Sequence, residues 1–238
     1  MPCFPGNRRR RRSEEVMMFE DSFTRRIFIS KVLMIVAINL LITVALMTFC
    51  IFHLGTRRFL LKHWYLPLIA AGVLMIFSFM ICCCANCFRR SPQKWILLVI
   101  YVLCHALLVS CLAVRFHPKL VFIAASACAL IVVLLGLFAR FAPCDFTGCW
   151  ILALVFGLVV MVMGIVAIFI PSFKIVYVSF GVLLFCFYIV IDLQMLIGGK
   201  THRNQFDESD YILAAMFIYS DIIFLFIYLL ELIGLIDS

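Results

Sequence analysis

The chain alternates between long apolar runs and short polar breaks. Seven runs reach the length of about 20 apolar residues that one α-helix needs to cross a bilayer. The pattern therefore predicts an all-α integral membrane protein with seven transmembrane helices. The predicted spans lie at 27–52, 65–85, 95–114, 120–139, 149–170, 174–197 and 211–235.

The breaks between the runs contain residues that end helices. Pro92, Pro118, Pro143 and Pro171 lie in or beside them, where proline is tolerated. Connections this short force neighbouring helices to run antiparallel. Transmembrane β-strands are disfavoured, because such strands need only about 9–11 residues and alternate in polarity.

The composition agrees with a lipid environment. Hydrophobic residues make up 66% of the chain and charged residues 13%, and the mean hydropathy is +1.20. A soluble domain is about half apolar and about one quarter charged. A soluble fold of this length has no core that buries so much apolar surface, so lipid is the solvent for most of the chain.

Lysine and arginine residues predict the orientation. With a cytosolic N-terminus, 14 of the 20 basic residues fall on the cytosolic side and six on the other, and cytosolic loops are usually the more basic ones. We therefore expect the C-terminus of the seven-span bundle on the opposite side. The cytosolic set is Arg8 to Arg12, Arg25, Arg26, Lys31, Arg89, Arg90, Lys94, Arg140, Lys200 and Arg203, and the opposite set is Arg57, Arg58, Lys62, Arg115, Lys119 and Lys174.

The polar, Arg-rich segment 1–26 precedes the seven-helix domain 27–238. We expect this segment to be a disordered cytosolic tail. The first apolar run is too long for a cleaved signal peptide, which favours an uncleaved signal anchor. The tract "RRRRR" is a candidate for nucleic-acid binding, but no folded basic domain surrounds it. Attraction to anionic lipid is the favoured interpretation, with no nucleic-acid partner.

One cysteine cluster is a candidate for modification. Cys82, Cys83, Cys84 and Cys87 lie at the predicted cytosolic end of the second span, beside arginines. The C-x-x-C spacing lacks a second ligand pair, which makes a zinc site improbable. Acylation is the alternative. The cysteines within the spans are interpreted as small packing residues: Cys50, Cys104, Cys111, Cys128 and Cys186.

Few polar residues lie inside the spans. Asn39 and His105 are interpreted as hydrogen-bonding residues between helices, with a proton path as the weaker alternative for His105. Glu231 lies near the outer end of the last span and can reach the interface. The sequence contains no phosphate-binding loop, no H-E-x-x-H and no Ser/His/Asp set at one depth. It predicts neither an enzyme nor a cofactor.

Two aspartates in the last two spans are the exception. A charged aspartate at mid-helix costs about 2.5–3.5 kcal/mol, and such residues usually mark a function. Asp192 precedes Gly198 by six residues, about 9 Å, and Asp221 follows Tyr211 by ten residues, about 15 Å. In adjacent antiparallel helices the two carboxyl groups then lie at nearly one depth. Both cannot ionise cheaply there, so we expect them to share a proton near neutral pH.

Such a pair has two chemical states. Protonated, it is a neutral hydrogen-bonded clasp between two helices; deprotonated, it repels itself and offers hard oxygen ligands. Hard oxygens suit Ca²⁺, and a weak, transient site suits permeation. The alternative is a hydrogen bond that only fixes helix packing. The polar residues expected to support the pair are Tyr219, Ser220, Gln194 and His105.

The closing segment "FGVLLFCFYIVIDLQMLIGGK...DYILAAMFIYSDIIFLFIYLLELIG" resembles the end of the Bax inhibitor motif (TMBIM) family, in particular its lifeguard branch. "CDFTGC" and "FRRSPQKW" resemble further motifs of that branch. The resemblance covers about residues 24–236. Three features depart from the family pattern: Leu193 in place of threonine, Phe224 in place of asparagine, and "QFDESDY" before the last span.

The resemblance implies seven helices with the last one central. It also implies location in endoplasmic reticulum or Golgi membranes, or the plasma membrane, a pH-sensitive calcium leak and restraint of cell death. The family's aspartate pair corresponds to Asp192 and Asp221. Two other functions stay open. One is a non-conducting regulator that binds calcium-release channels, Bcl-2-type proteins or death-receptor components, and the other is an intramembrane enzyme.

Overall fold

Eight α-helices form the described part of the chain. The computed structural model describes residues 6–83, 93–142, 144, 146–197 and 210–237, with side chains from residue 25 onward except those of Cys82, Cys83 and Trp150. The described residues contain no strand, which confirms the all-α prediction. The helices are α1 (Gly6–Phe52), α2 (Leu54–Lys62), α3 (Leu66–Cys83), α4 (Gln93–Ala113), α5 (Pro118–Phe141), α6 (Trp150–Phe169), α7 (Lys174–Ile197) and α8 (Tyr211–Ile236), with short 3₁₀ turns at Phe146–Cys149 and Pro171–Phe173.

Six or seven helices in the described residues are able to cross a membrane. Six qualify individually, and the number becomes seven if α2 and α3, which meet at 77°, are counted as one broken span. The sequence predicts a loop where α2 forms, and this prediction is wrong. The His53 side chain accepts a hydrogen bond from the Thr56 N–H, so it caps α2. Leu60 of this helix is buried, whereas Arg58 and the apolar residues Phe59 and Leu61 are exposed.

The first helix is longer than expected. It begins at Gly6 and so extends through most of the segment for which the sequence predicts a disordered tail. No proline and no further glycine interrupt the chain from Asn7 to Phe52, and nothing in that stretch therefore breaks a helix. The span itself lies within Arg25–Phe52.

The last helix lies at the centre of the bundle. In the most apolar 18-residue stretch of α8, 72% of the residues are buried, against 11% in the corresponding stretch of α6. α8 packs on α1, α4, α5 and α7. Tyr219, Met216 and Leu225 of α8 are completely buried. By contrast, α6 packs chiefly on α7 and exposes most of its apolar surface. Because lipid covers such surface in a membrane, α8 is the structural core and α6 is peripheral.

Candidate functional site: an aspartate pair between the last two helices

Antiparallel packing of α7 and α8 builds the candidate site. These two helices form the most extensive interface in the described residues. Gly181 leaves no room for a Cβ atom against the Tyr228 ring, so the backbones approach closely there. Further along, the rings of Phe185 and Phe224 stack with centroids 5.2 Å apart. The packing fixes the register of the two helices.

This register brings Asp192 and Asp221 together. Their side chains are joined by a hydrogen bond. A hydrogen bond between two carboxyl groups requires one proton, because an ionised carboxylate has only acceptors. Both residues are partly buried, and Asp192 also lines a cavity between α6, α7 and α8. The arrangement is therefore a clasp that one proton closes.

Two hydrophobic residues stand close to the aspartates along their helices, Leu193 directly after Asp192 and Phe224 three residues after Asp221. Leu193 is buried, and its Cδ1 approaches the position of a Cβ at Gly136 to 3.9 Å. Phe224 contacts the His105 ring edge-on at 5.7 Å, in addition to its stack on Phe185. These two residues are the apolar replacements in the family pattern. Both pack as hydrophobic residues, whereas Tyr188 and Tyr101 lie close enough to Asp221 to interact with it electrostatically.

Three of the expected supporting residues take part in contacts between α8 and the helices α1 and α4: Tyr219 and Ser220 of α8, and His105 of α4. The Tyr219 hydroxyl lies 2.7 Å from Thr43 Oγ1 of α1. His105 Nδ1 lies 3.1 Å from the Tyr101 carbonyl oxygen, and its ring packs edge-on against Tyr219 at 5.4 Å. Ser220 donates to the Phe217 carbonyl and is hydrogen-bonded by Tyr101. These residues tie α8 to α1 and α4.

The fourth expected residue, Gln194, anchors a connection. Its amide nitrogen donates to the Cys144 carbonyl at 3.0 Å, and its amide oxygen accepts from the Phe146 N–H at 2.8 Å. The side chain thereby satisfies one carbonyl and one N–H group of the backbone that leads from α5 to α6. Gln194 is consequently a loop anchor within the structure.

Sequence reasoning missed two residues of this polar interior, Thr43 and Tyr101. The signal that could have found them is helical spacing, because residues four apart share one face. Tyr101 precedes His105 by four residues and Thr43 follows Asn39 by four. The Thr43 hydroxyl also donates to the Asn39 carbonyl at 2.9 Å.

The cysteine predictions divide into two groups. The thiol cluster at Cys82, Cys83, Cys84 and Cys87 lies outside the residues whose side chains are described, and its acylation stays a prediction. The cysteines of the spans are free thiols: Cys50, Cys104, Cys111, Cys128 and Cys186. In the described part of the chain, no three His, Cys, Asp or Glu residues cluster as a tight metal site would require.

Comparison with known proteins identifies the family. The family described as "Inhibitor of apoptosis-promoting Bax1" matches residues 25–238, which include every described span. The chain belongs to this Bax inhibitor motif family. It is thus a multi-pass integral membrane protein of a family of apoptosis inhibitors.

Relatives place this family member near the lifeguard proteins. It is 30% identical to Protein lifeguard 3 of Mus musculus and 29% identical to Protein lifeguard 3 of Homo sapiens, in both cases over 91% of this chain and 71% of the relative. It is 30% identical to Protein LIFEGUARD 2 of Arabidopsis thaliana over 93% of each chain. The resemblance in the closing segment is confirmed.

Proposed function

We propose that this protein is a pH-sensitive calcium leak channel of intracellular membranes, the endoplasmic reticulum or Golgi, and that it restrains apoptosis by modulating calcium. The observation that carries the proposal is the hydrogen-bonded carboxyl pair between α7 and the central helix α8. Ionisable residues at such depth are costly and usually functional. The Bax inhibitor family supports the link to cell death.

Protonation is the proposed gate. With one shared proton, Asp192 and Asp221 hold α7 against α8. Raising the pH removes this proton and leaves two negative charges in contact. Two like charges about 4 Å apart repel by about 4 kcal/mol at an effective dielectric constant of about 20, which is a shift of roughly three orders of magnitude in a two-state equilibrium.

The ionised pair also changes what the site can bind. Two carboxylates supply hard oxygen ligands of the kind that Ca²⁺ takes. The described residues add no third His, Cys, Asp or Glu to form a tight cage. A weak site of this kind suits transfer of the ion rather than storage.

A second candidate function is a non-conducting regulator that binds channels or Bcl-2-type proteins. The observation that favours it is that Leu193 and Phe224, where the family pattern has polar residues, pack against Gly136 and Phe185 instead. The pair then has two polar residues fewer beside it for passing an ion, and a structural hydrogen bond between helices does not need them.

Calcium flux in liposomes separates the two functions. Purified protein is reconstituted, and Ca²⁺ entry is recorded with an internal fluorescent indicator across a pH series. We expect flux that changes steeply with pH in a single transition. Folded protein that passes no Ca²⁺ at any pH would refute the channel and favour the regulator.

A further inference from the structure

A mostly apolar cavity, largely open to the surface of the bundle, extends from the level of the aspartate pair towards the opposite end of α7 and α8. It has a volume of about 1040 Å³ and lies between α6, α7 and α8. Asp192 lines it five residues before the end of α7, and Glu231 lines it five residues before the end of α8. Because α7 and α8 are antiparallel, the two carboxylates lie towards opposite ends of this cavity.

Tyrosine hydroxyls line the cavity between these carboxylates. The hydroxyls of Tyr177 and Tyr228 lie 2.7 Å apart. The Tyr188 hydroxyl donates to the Ala153 carbonyl at 3.0 Å. All three tyrosines belong to the cavity wall, so neutral oxygen atoms occur along the route from Glu231 to Asp192.

Two glycines of α6 make room for these tyrosines. A Cβ at Gly157 would lie 2.5 Å from the Tyr188 hydroxyl, and a Cβ at Gly164 would lie 3.0 Å from the Tyr177 ring. The glycines are seven residues apart and thus share one helix face. Their small size keeps open a groove that larger residues would fill.

An accessible ion pair lies at the end of the cavity that Glu231 lines. Lys174 Nζ lies 2.7 Å from Glu231 Oε1, and the two side chains are 42% and 31% exposed. An exposed pair of this kind contributes little to stability. The Lys174 ammonium is a single charge on a flexible stem, and a divalent cation attracts a carboxylate twice as strongly at equal distance.

We propose that Glu231 is the outer entry site for a divalent cation of the Ca²⁺ type, and that Lys174 neutralises this carboxylate until the cation displaces it. The tyrosine hydroxyls then line the cation's path to Asp192. The inference rests on the proposed calcium leak, for which it supplies an entrance and a route. Each oxygen set along the route is weak alone, which permits the ion to leave as well as to enter.

The first test asks whether removing the negative charge of Glu231 and removing the positive charge of Lys174 have opposite effects on Ca²⁺ flux. Ca²⁺ flux in liposomes is measured against Ca²⁺ concentration for Glu231→Gln and Lys174→Gln. We expect Glu231→Gln to raise the half-saturating concentration by about fivefold and Lys174→Gln to lower it, with the pH transition of the flux unchanged in both. A merely structural ion pair predicts changes in the same direction, because either substitution breaks it, and that result would overturn the proposal.

Filling the groove is the second test. Gly164→Leu places a side chain against Tyr177 and should abolish most of the flux. Gly72→Leu is the matched control, since a Cβ at Gly72 meets nothing within 4 Å, and it should leave the flux unchanged. Thermal unfolding verifies that both variants are folded. Full flux through folded Gly164→Leu would exclude this route.

A binding measurement tests the entry site at Glu231 separately from the proposed calcium leak. Tb³⁺, a luminescent substitute for Ca²⁺, is excited through the nearby tyrosines in detergent-solubilised protein. We expect Glu231→Gln to lose part of the wild-type Tb³⁺ luminescence. We expect Asp192→Asn to keep that part. Luminescence lost in Glu231→Gln without any flux in the wild type would retain the site and refute the leak. Flux in the wild type with luminescence unchanged by Glu231→Gln would refute the site alone.

Discussion

The Tyr219 hydroxyl lies 2.7 Å from Thr43 Oγ1 and joins the middle of α8 to α1. Tyr219 precedes Asp221 by only two residues, so the anchored segment of α8 is the one that carries half of the aspartate pair. α8 also packs on α4 and α5. α7, by contrast, packs on α5 and on the largely exposed α6, and under the proposed gate we expect α7 to be the helix that moves relative to α8.

Replacing either aspartate of the pair by asparagine should remove the response of Ca²⁺ flux to pH. Asp192→Asn and Asp221→Asn each keep the shape and a hydrogen bond but cannot hold two charges in contact. We expect each variant to fold and to lose most of the pH dependence of Ca²⁺ flux in liposomes. The double variant should add little, because the two carboxyl groups act as one unit.

Ser126→Ala is the control for this series. The Ser126 hydroxyl is exposed and donates only to its own helix, at the Phe122 carbonyl. The pH profile of Ca²⁺ flux through Ser126→Ala should match that of the wild type. An unchanged pH profile in both single aspartate variants would make the pair purely structural.

The link between α1 and α8 should be measurable as a coupling energy. Tyr219→Phe and Thr43→Val each remove one hydroxyl of the pair. We expect a coupling of about 0.6 kcal/mol, the average for hydrogen bonds between membrane helices. A double-mutant cycle on thermal unfolding in lipid measures it. Strictly additive losses would show that the contact contributes nothing.

Gln194 should stabilise the connection into α6. Gln194→Met keeps the volume but leaves the Phe146 N–H and the Cys144 carbonyl without this partner. Both hydrogen bonds are partly buried, so the expected loss is about 0.5–1.5 kcal/mol for each of them. Met195→Leu is the neighbouring control and should cost less than about 1.5 kcal/mol. Thermal unfolding compares the two variants, and equal stability would contradict the anchoring role.

The predicted topology places the C-terminus away from the cytosol. A tag after Ser238 should resist protease in sealed vesicles whose cytosolic face is outward, because the basic residues favour a cytosolic N-terminus and seven spans reverse the side. Permeabilised vesicles are the positive control. Digestion of the tag in intact vesicles would rule out this topology.

The cysteine cluster should carry acyl chains. Cys82, Cys83, Cys84 and Cys87 adjoin arginines at the end of the second predicted span, where such modification occurs. Thiol-selective acyl exchange should label the wild type more strongly than the variant with four serines. Equal labelling would exclude acylation.

The sequence by itself determined the spans and the depth of the aspartate pair. Hydropathy is local, and a helix rises by a fixed 1.5 Å per residue. Counting from helix ends therefore gives the level of Asp192 and of Asp221. The apolar runs give the bounds of α4 to α8 to within a few residues, but not the N-terminal extension of α1 or the helix α2. The family resemblance depends on the same local order of residues.

Only the tertiary structure decided which side of each helix faces which neighbour. In spans that are apolar on every face, no polar stripe indicates which face of the helix points to which neighbour. The partners of Tyr219, Gln194 and Glu231 could therefore not be predicted from the sequence. Close packing sets those rotations, through small residues such as Gly181 and rings such as Phe185. Packing depends on the shapes of side chains that lie far apart in the chain, and hydropathy along the sequence contains no information about those shapes.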